Sequence, residues 1–548
     1  MAKEYLSDLV AEVQRRPSDP QVMEESKPST EECLFPVETT HRGLKSRHAQ
    51  MIALGGMMGT GFFVGSGAVL ALGGPLFLLL GYTVMSIVVF GMVTAVVEIA
   101  TFLPIPGSTM AYFGNRFVSS SFGFAVGWLY WYSMGMFVPY EITAAGLVID
   151  YWGSPVNIVV WVTLFLVVIV AMNLMPVEVY GEAEFWFALS KVLLVLGLLV
   201  LSAVLFFGGG QEGLLAFKFW RNPGPIRASI QRGSPGYAIA FFRVLVQAAF
   251  PFVFAPELLV TTGGEMKNPV VQLPRAARRY IWRLVIFYLL GALAIGVICP
   301  SDNPDLSNGG AGAKSSPFVL GIQRAGIDSL GSLINAVVII SAASSGNSFL
   351  YLSSRCLYSM AIAGNAPTMF RRCNKRGVPY VAVLASSVLG VLAYLNCAKS
   401  GSVVFSWLVN ITNEGGFIGW VCCSIIFFRF RKACQKQGVT NLDFKHWVQP
   451  YGAWIGGGIS FVLIFINAFH VFLPGQFSVS SFLTAYIGLP AFLLTFFAHK
   501  ALHWDEPWIR PAESIDMTTG RDIVEATIET DFEEGDSWYV KLRKYVIG

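Results

Sequence analysis

Charge is scarce in this chain. Of its 548 residues only 13% are Asp, Glu, Lys or Arg, against 54% that are apolar. A soluble chain of that length would need several charged surfaces, so the shortage excludes a string of soluble domains. Histidine is limited to six residues, and the eight cysteines are scattered without CxxC pairs or histidines at ligand spacing. A zinc site or disulfide framework is therefore not expected, and no metal or cofactor is. The net charge of +4 is small, and the basic residues lie in separate loops, which gives no nucleic-acid surface. The polar first 48 residues carry no short apolar core followed by a cleavage site, so no cleavable signal peptide is expected.

What the sequence has instead is a series of uncharged runs near the length that crosses a hydrocarbon core. Read this way, the chain is an all-α membrane protein with twelve transmembrane helices. They fall near 49–70, 75–97, 121–149, 156–174, 183–207, 237–262, 281–299, 329–360, 379–397, 402–428, 453–473 and 480–499. Residues 1–48 and 500–548 are polar tails around a twelve-helix domain at 49–499, and they are expected to be mostly disordered. Basic residues before the first helix (Arg42, Lys45, Arg47) and after the sixth, eighth and tenth place both termini in the cytoplasm. The loop 208–236, with Lys218, Arg221, Arg227 and Arg232, runs against that rule.

The segment "GGMMGTGFFVGSG" (55–67) puts six glycines at the head of an apolar run. Glycines four apart let helices pack closely, which is one reading. The other is a break: Gly59-Thr60-Gly61 lowers the cost of leaving helical geometry, and a break frees backbone groups that need partners. Five helices later, "FPFVFAPELLVTTGGE" carries Pro251 and Pro256, each lacking an N–H and disfavouring helix before it. Two interrupted helices at matching places predict two inverted five-helix repeats, with a substrate site where the breaks meet. The half-helix starting near Gly61 offers N–H groups to a carboxylate, and unwound carbonyls suit an ammonium. A ligand with both charges on neighbouring atoms is an α-amino acid.

Several ordered stretches carry a resemblance. "MIALGGMMGTGFFVGSG", "EIATFLPIPGS", "VGWLYWYSMGMFVPYEITAAGLVIDYW", "YGEAEFWFALSKV", "SAASSGNSFLYLSSRCLYSMAIAGNAP" and "FLTAYIGLPAFLL" resemble the fungal amino-acid permeases of the amino acid–polyamine–organocation superfamily, from about residue 41 to 500. The resemblance implies a 5+5 inverted-repeat core with broken helices 1 and 6 plus two extra helices. It also implies proton-coupled uptake of amino acids across the plasma membrane. "APELLVTTGGEMKNP" resembles proline and neutral amino-acid permeases of that family. Two places depart from the usual pattern: Ala255-Pro256-Glu257 stands where Gly-Thr-Glu is typical, and "NITNEGGF" brings in Glu414.

The candidate substrate-binding residues are Gly59, Thr60, Gly61, Glu141, Phe254, Ala255, Glu257 and Glu414. Lys191, Ser344, Ser345 and Asn347 are the candidates for proton coupling. The resemblance puts the Lys191 ammonium beside helices 1 and 8, where sodium-coupled relatives hold their ion; a snorkelling lysine is the other reading. Glu141 is either a structural carboxylate bonded to neighbouring helices or a site residue. Glu414 either lines the cavity or sits at a helix break, and Glu98 is read as an interface residue at the cytoplasmic face. Ser344, Ser345, Asn347 and Ser348 match the family's "SxGNS" facing Lys191. Of the aromatic candidates for gating the site (Phe252, Phe254, Trp128 and Trp407), Phe254 ranks first because it adjoins the break.

The expected partners are an amino acid, a proton, membrane lipid and, at the tails, a ubiquitin-ligase adaptor, with Lys3 and Lys27 as acceptors. The competing classes are a non-transporting amino-acid sensor of the same fold and a membrane-embedded enzyme. For the enzyme the sequence has no histidine or cysteine constellation, metal spacing or phosphate loop.

Overall fold

The computed structural model describes Leu44 and residues 46–519, apart from 106–107, 232, 267–268, 307–314, 398–400, 441 and 443. Lys3, Lys27 and nearly all of the expected N-terminal tail lie outside the described residues.

Every regular element named below is a helix. α1 (Ser46–Met57) and α2 (Thr60–Phe63) lead into α3 (Gly65–Phe102), which bends sharply at Gly74 (φ 82°, ψ 176°). That backbone is left to glycine, and a Cβ there would lie 2.8 Å from the Pro225 carbonyl oxygen. Pro75 follows and starts the return helix, so one continuous apolar stretch folds back on itself. α4 (Met110–Phe117) and α5 (Ser120–Gly135) come next; Met136 parts α5 from α6 (Phe137–Ile149). α7 (Ile158–Asn173) and α8 (Val177–Phe206) complete the first half.

In the second half, α9 (Ser234–Ala249) is separated by the turn Phe250–Phe252 from α10 (Ala255–Gly264). α11 (Pro269–Ile298), α12 (Asp328–Ile362), α13 (Tyr380–Ser387) and α14 (Gly401–Lys436) follow. α15 (Tyr451–Ile466), α16 (Val479–Tyr486) and α17 (Gly488–Leu502) close the chain, the last two bent by 46°. Among the described residues, eight helices are long and apolar enough to cross a membrane, nine if that bent pair counts as one span. Two boundaries differ markedly from expectation. α11 starts twelve residues before 281 because Pro269 sits in its first turn, and α14 runs to Lys436, carrying Arg429 and Arg431 on helix rather than loop.

Burial follows from this order. α2, α3, α4, α5, α6, α11, α12 and α14 contribute the largest fully buried side chains, whereas α8, α16 and α17 leave whole faces of Leu, Val, Trp and Phe exposed. Apolar faces of that extent suit a hydrocarbon surround. Residues 510–519, expected as disordered tail, pack against the bundle instead. Arg116 donates to the carbonyls of Asp516 (2.7 Å) and Thr519 (3.0 Å), Gln437 to those of Ala512 and Ile515, and Ile515 and Met517 are buried. A polar composition hid them because much of what the bundle binds is their backbone, with Ile515, Asp516 and Met517 adding side chains.

Candidate functional site

The first helix is broken where the glycines predict. α1 ends at Met57, Gly59 is extended (φ −93°, ψ −164°), and helix resumes at Thr60. A helix end leaves carbonyls without intrahelical partners, and here four consecutive ones are met by side chains. Lys191 of α8 donates to Gly55 O (2.5 Å), Ser345 of α12 to Gly56 O (2.9 Å), Tyr288 of α11 to Met57 O (2.8 Å) and Ser341 of α12 to Met58 O (2.6 Å). Three helices thus hold the break open, at about 1 kcal/mol net for each such bond and more for the charged one.

Glu141 faces the same gap from α6. Thr60 donates its hydroxyl to Glu141 Oε2 at 2.8 Å, and Glu141, Thr60 and Ser345 are all buried. A Cβ on Gly59 would lie 2.3 Å from Glu141 Oε1 and 2.9 Å from Ser345 Oγ. Glycine is therefore needed here for the approach of the carboxylate, as well as for the break.

The second break lies opposite. After the turn at Phe250–Phe252, Val253 is extended and Phe254 is left-handed (φ 64°, ψ 12°) before α10 begins. A buried phenylalanine in that conformation costs on the order of 1–3 kcal/mol, and its ring is clamped among Tyr130, Phe137 and Phe349. Tyr288 ties the two breaks together, donating to Pro251 O (3.1 Å) as well as to Met57 O. Gly56, Gly59, Gly61, Glu141, Phe250, Pro251 and Ser345 line one narrow cavity of about 10 Å³, room for about one water. In this conformation the space between the breaks is closed.

Lys191 is fully buried, so snorkelling to water is excluded. It shares its helix with Glu184, seven residues earlier and on the same face. Glu184 accepts from Ser344 (2.7 Å), Asn347 (2.5 Å) and Ser348 (3.4 Å), and Asn347 in turn accepts from Asn173 (2.6 Å). The "SxGNS" cluster therefore faces α8, with Ser344 and Asn347 on Glu184 and Ser345 on the break. Glu184 was missed from the sequence. The signal was present: two opposite charges two turns apart in a run otherwise nearly uncharged.

Other candidates lie elsewhere. Glu257, in the first turn of α10, accepts from Tyr130 of α5 (2.9 Å) and lies 3.7 Å from Cys423 Sγ of α14. Its second oxygen has no hydrogen-bond partner among the described residues. Ala255 is buried beside it at the helix start. Glu414 accepts from Leu489 N and Asn467 Nδ2, both at 3.3 Å, at the bend between α16 and α17, where a Cβ on Gly488 would strike it at 2.5 Å. The break expected in its own helix is not there: α14 runs unbroken past Glu414, which is buried and borders a separate cavity of about 250 Å³ with Trp128, Ser133 and Thr484. Glu98 accepts from Arg431 (3.0 Å) at the end of the bundle that carries residues 510–519. Trp128 packs on Trp131 and Phe124, away from the breaks, while Phe252 packs on Tyr288.

The amino acid permease family model matches residues 48–506. The chain is 44% identical over 500 residues to the proline-specific permease of Emericella nidulans, covering 90% of this chain and 91% of that one. With the proline-specific permease of Saccharomyces cerevisiae it shares 43% over 491 residues, 87% and 78% of the two chains. The lysine-specific permease of the same yeast is 37% identical over 512 residues, covering 93% and 83%. A solved manganese transporter from Eremococcus coleocola, 11% identical, superposes with a TM-score of 0.52 over 87% of this chain and 97% of that one, a likeness of fold alone. These relatives are permeases and not enzymes, and the chain belongs to the amino acid permease family.

Proposed function

We propose that the protein imports an α-amino acid together with a proton across the plasma membrane, with both termini cytoplasmic. Counting α1 to Gly73, the return helix after Pro75, α5 with α6, α7 and the bent pair α16–α17 as one crossing each gives twelve crossings, arranged as a 5+5 inverted-repeat core and two further helices. The observation that carries the reading is the pair of facing breaks around Glu141. Gly59, Thr60 and Gly61 line the first break, where backbone N–H groups at the resumed helix suit a carboxylate, and Phe254, Ala255 and the first turn of α10 cover the other side.

Proline is the substrate we favour, on the strength of the two proline-specific relatives. A secondary amine brings fewer N–H donors than a primary one, and a compact apolar ring suits the aromatic lining of Phe137, Phe250 and Phe254. Lys191, with Ser344, Ser345 and Asn347, is assigned to proton coupling: a buried ammonium that loses its proton becomes a neutral amine, whose weaker bond to Gly55 O loosens the break. Glu257 and Glu414 are buried carboxylates available for the same task. The cytoplasmic tails, with Lys3 and Lys27, are assigned to a ubiquitin-ligase adaptor.

The test is uptake of radiolabelled amino acids, proline among them, by a permease-deficient fungal cell at acidic pH with and without a protonophore. Accumulation of proline or another neutral amino acid, abolished by the protonophore, is expected. Protein at the cell surface that accumulates none of them would instead support a sensor of the same fold.

A further inference from the structure

A second, larger cavity lies toward the end of the bundle away from Leu44 and residues 510–519. Its volume is about 370 Å³, within the range of small-molecule sites. One wall is Ala71 and Leu72 of α3, and the others carry Arg243 and Gln247 of α9 and Phe405 and Asn410 of α14. Arg243 and Gln247 are one turn apart, so both side chains leave α9 on the same face. The Arg243 guanidinium donates to Ser229 Oγ at 2.5 Å, which uses one of its five N–H donors. Among the described residues no carboxylate pairs with it.

The floor of this cavity is the roof of the central one. Phe405 packs on Tyr140 at 4.7 Å, Tyr140 on Phe250 at 4.6 Å, and Thr60 reaches the Tyr140 hydroxyl at 3.3 Å. Three rings therefore separate an unpaired guanidinium from the backbone N–H groups of the first break. Leaving an arginine half-buried without a carboxylate is costly unless an anion visits it.

We infer that this cavity is an anteroom, in which Arg243 holds the carboxylate of the incoming amino acid, with Gln247 and Asn410 as hydrogen-bonding walls, before the Tyr140–Phe250–Phe405 layer parts. The inference rests on the transport reading above. Arg243 is here a recruiting group, distinct from the residues of the central site. Removing it lowers the rate at which substrate reaches the breaks at low concentration and leaves the turnover of a filled site unchanged.

The test is concentration-dependent uptake by wild type, Arg243→Gln and Arg243→Lys at equal surface abundance, each at low and high ionic strength. Arg243→Gln is expected to raise apparent KM about tenfold with maximal rate nearly kept, and Arg243→Lys to restore most of the loss. High ionic strength is expected to raise the wild-type KM and to leave that of Arg243→Gln nearly unmoved. A wild-type KM and salt response in Arg243→Gln, or a loss confined to maximal rate, overturns the anteroom while leaving transport intact. Should Arg243→Gln not reach the membrane, a wild-type KM indifferent to ionic strength overturns it equally. A wild type that accumulates no amino acid removes the transport reading, and the anteroom with it.

Discussion

The Lys191 ammonium of α8 donates to the carbonyl of Gly55 in the last turn of the first half-helix, at 2.5 Å and out of reach of water. Glu184 on the same helix face carries the opposite charge, while the ammonium's hydrogen bond goes to the backbone end of a broken helix. The charge and the break are thereby one device: whatever removes the proton turns a charge-assisted bond to a buried carbonyl into a weaker neutral one.

Lys191→Met is accordingly expected to abolish concentrative, pH-dependent uptake while leaving exchange of external for internal substrate measurable. The lost bond leaves Gly55 O unpaired, at about 1–3 kcal/mol, so a moderate fall in thermal stability should accompany it. Concentrative uptake at the wild-type pH dependence in Lys191→Met would remove the lysine from the coupling step.

Glu184 carries the next prediction. Its carboxylate collects Ser344, Asn347 and Ser348 of α12. Glu184→Gln keeps one acceptor but turns an amide donor toward a neighbouring donor, and Glu184→Ala strands all three. Breaking a buried charged network typically costs about 3–5 kcal/mol. Surface protein measured by fluorescence should fall from wild type to Gln to Ala in that order, and a Glu184→Ala protein as abundant and thermostable as wild type would contradict the network.

How much of this was legible beforehand depends on what each residue needs. The two breaks were readable because glycine pairs and prolines act locally, on their own backbone. Lys191 was readable because a charge in an apolar run is rare. Glu184 shows in the sequence only as a charge two turns from Lys191, since its hydrogen bonds go to three α12 side chains that sequence spacing cannot place beside it. Glu414 could not be resolved between two readings, because the helix it meets begins about 75 residues later, at Gly488–Leu489. The docking of residues 510–519 was invisible for a different reason: most of its hydrogen bonds use main-chain carbonyls, which every residue has.

The glycines offer a controlled comparison. A Cβ on Gly59 would lie 2.3 Å from Glu141 Oε1, whereas the nearest atom to one on Gly65 is 4.0 Å away. Gly59→Ala should raise the apparent KM at least about tenfold, because the carboxylate must move by roughly 1 Å to clear the new methyl. Gly65→Ala, which also gains helix propensity of about 1 kcal/mol, should transport like wild type. Equal kinetics for the two variants would mean that Gly59 is not at the substrate site.

The final prediction concerns the docked segment 510–519 and pH. Asp516 accepts from the backbone N–H groups of Thr518 and Thr519, both at 3.0 Å, and pairs with Arg116 at 3.2 Å. Partial burial opposes its charge, but the Thr519 and Thr518 hydrogen bonds and the Arg116 guanidinium outweigh it and hold the carboxyl at about 2. A carboxyl depressed below the ordinary value of about 3.9 contributes stability above that value and loses it only as pH falls through the folded one. The clamp is therefore fully charged throughout the physiological pH range, and acidification within that range cannot release it through this residue. Hydrogen exchange of 510–519 in the purified protein, corrected for the intrinsic rate, should be flat between pH 7.5 and 5 in wild type and faster throughout that range in Asp516→Asn. Protection that decays toward pH 5 in wild type would show that some other titrating group governs the docking, and Arg116→Ala, which also removes the bonds to the Asp516 and Thr519 carbonyls, should expose the segment more than Asp516→Asn does.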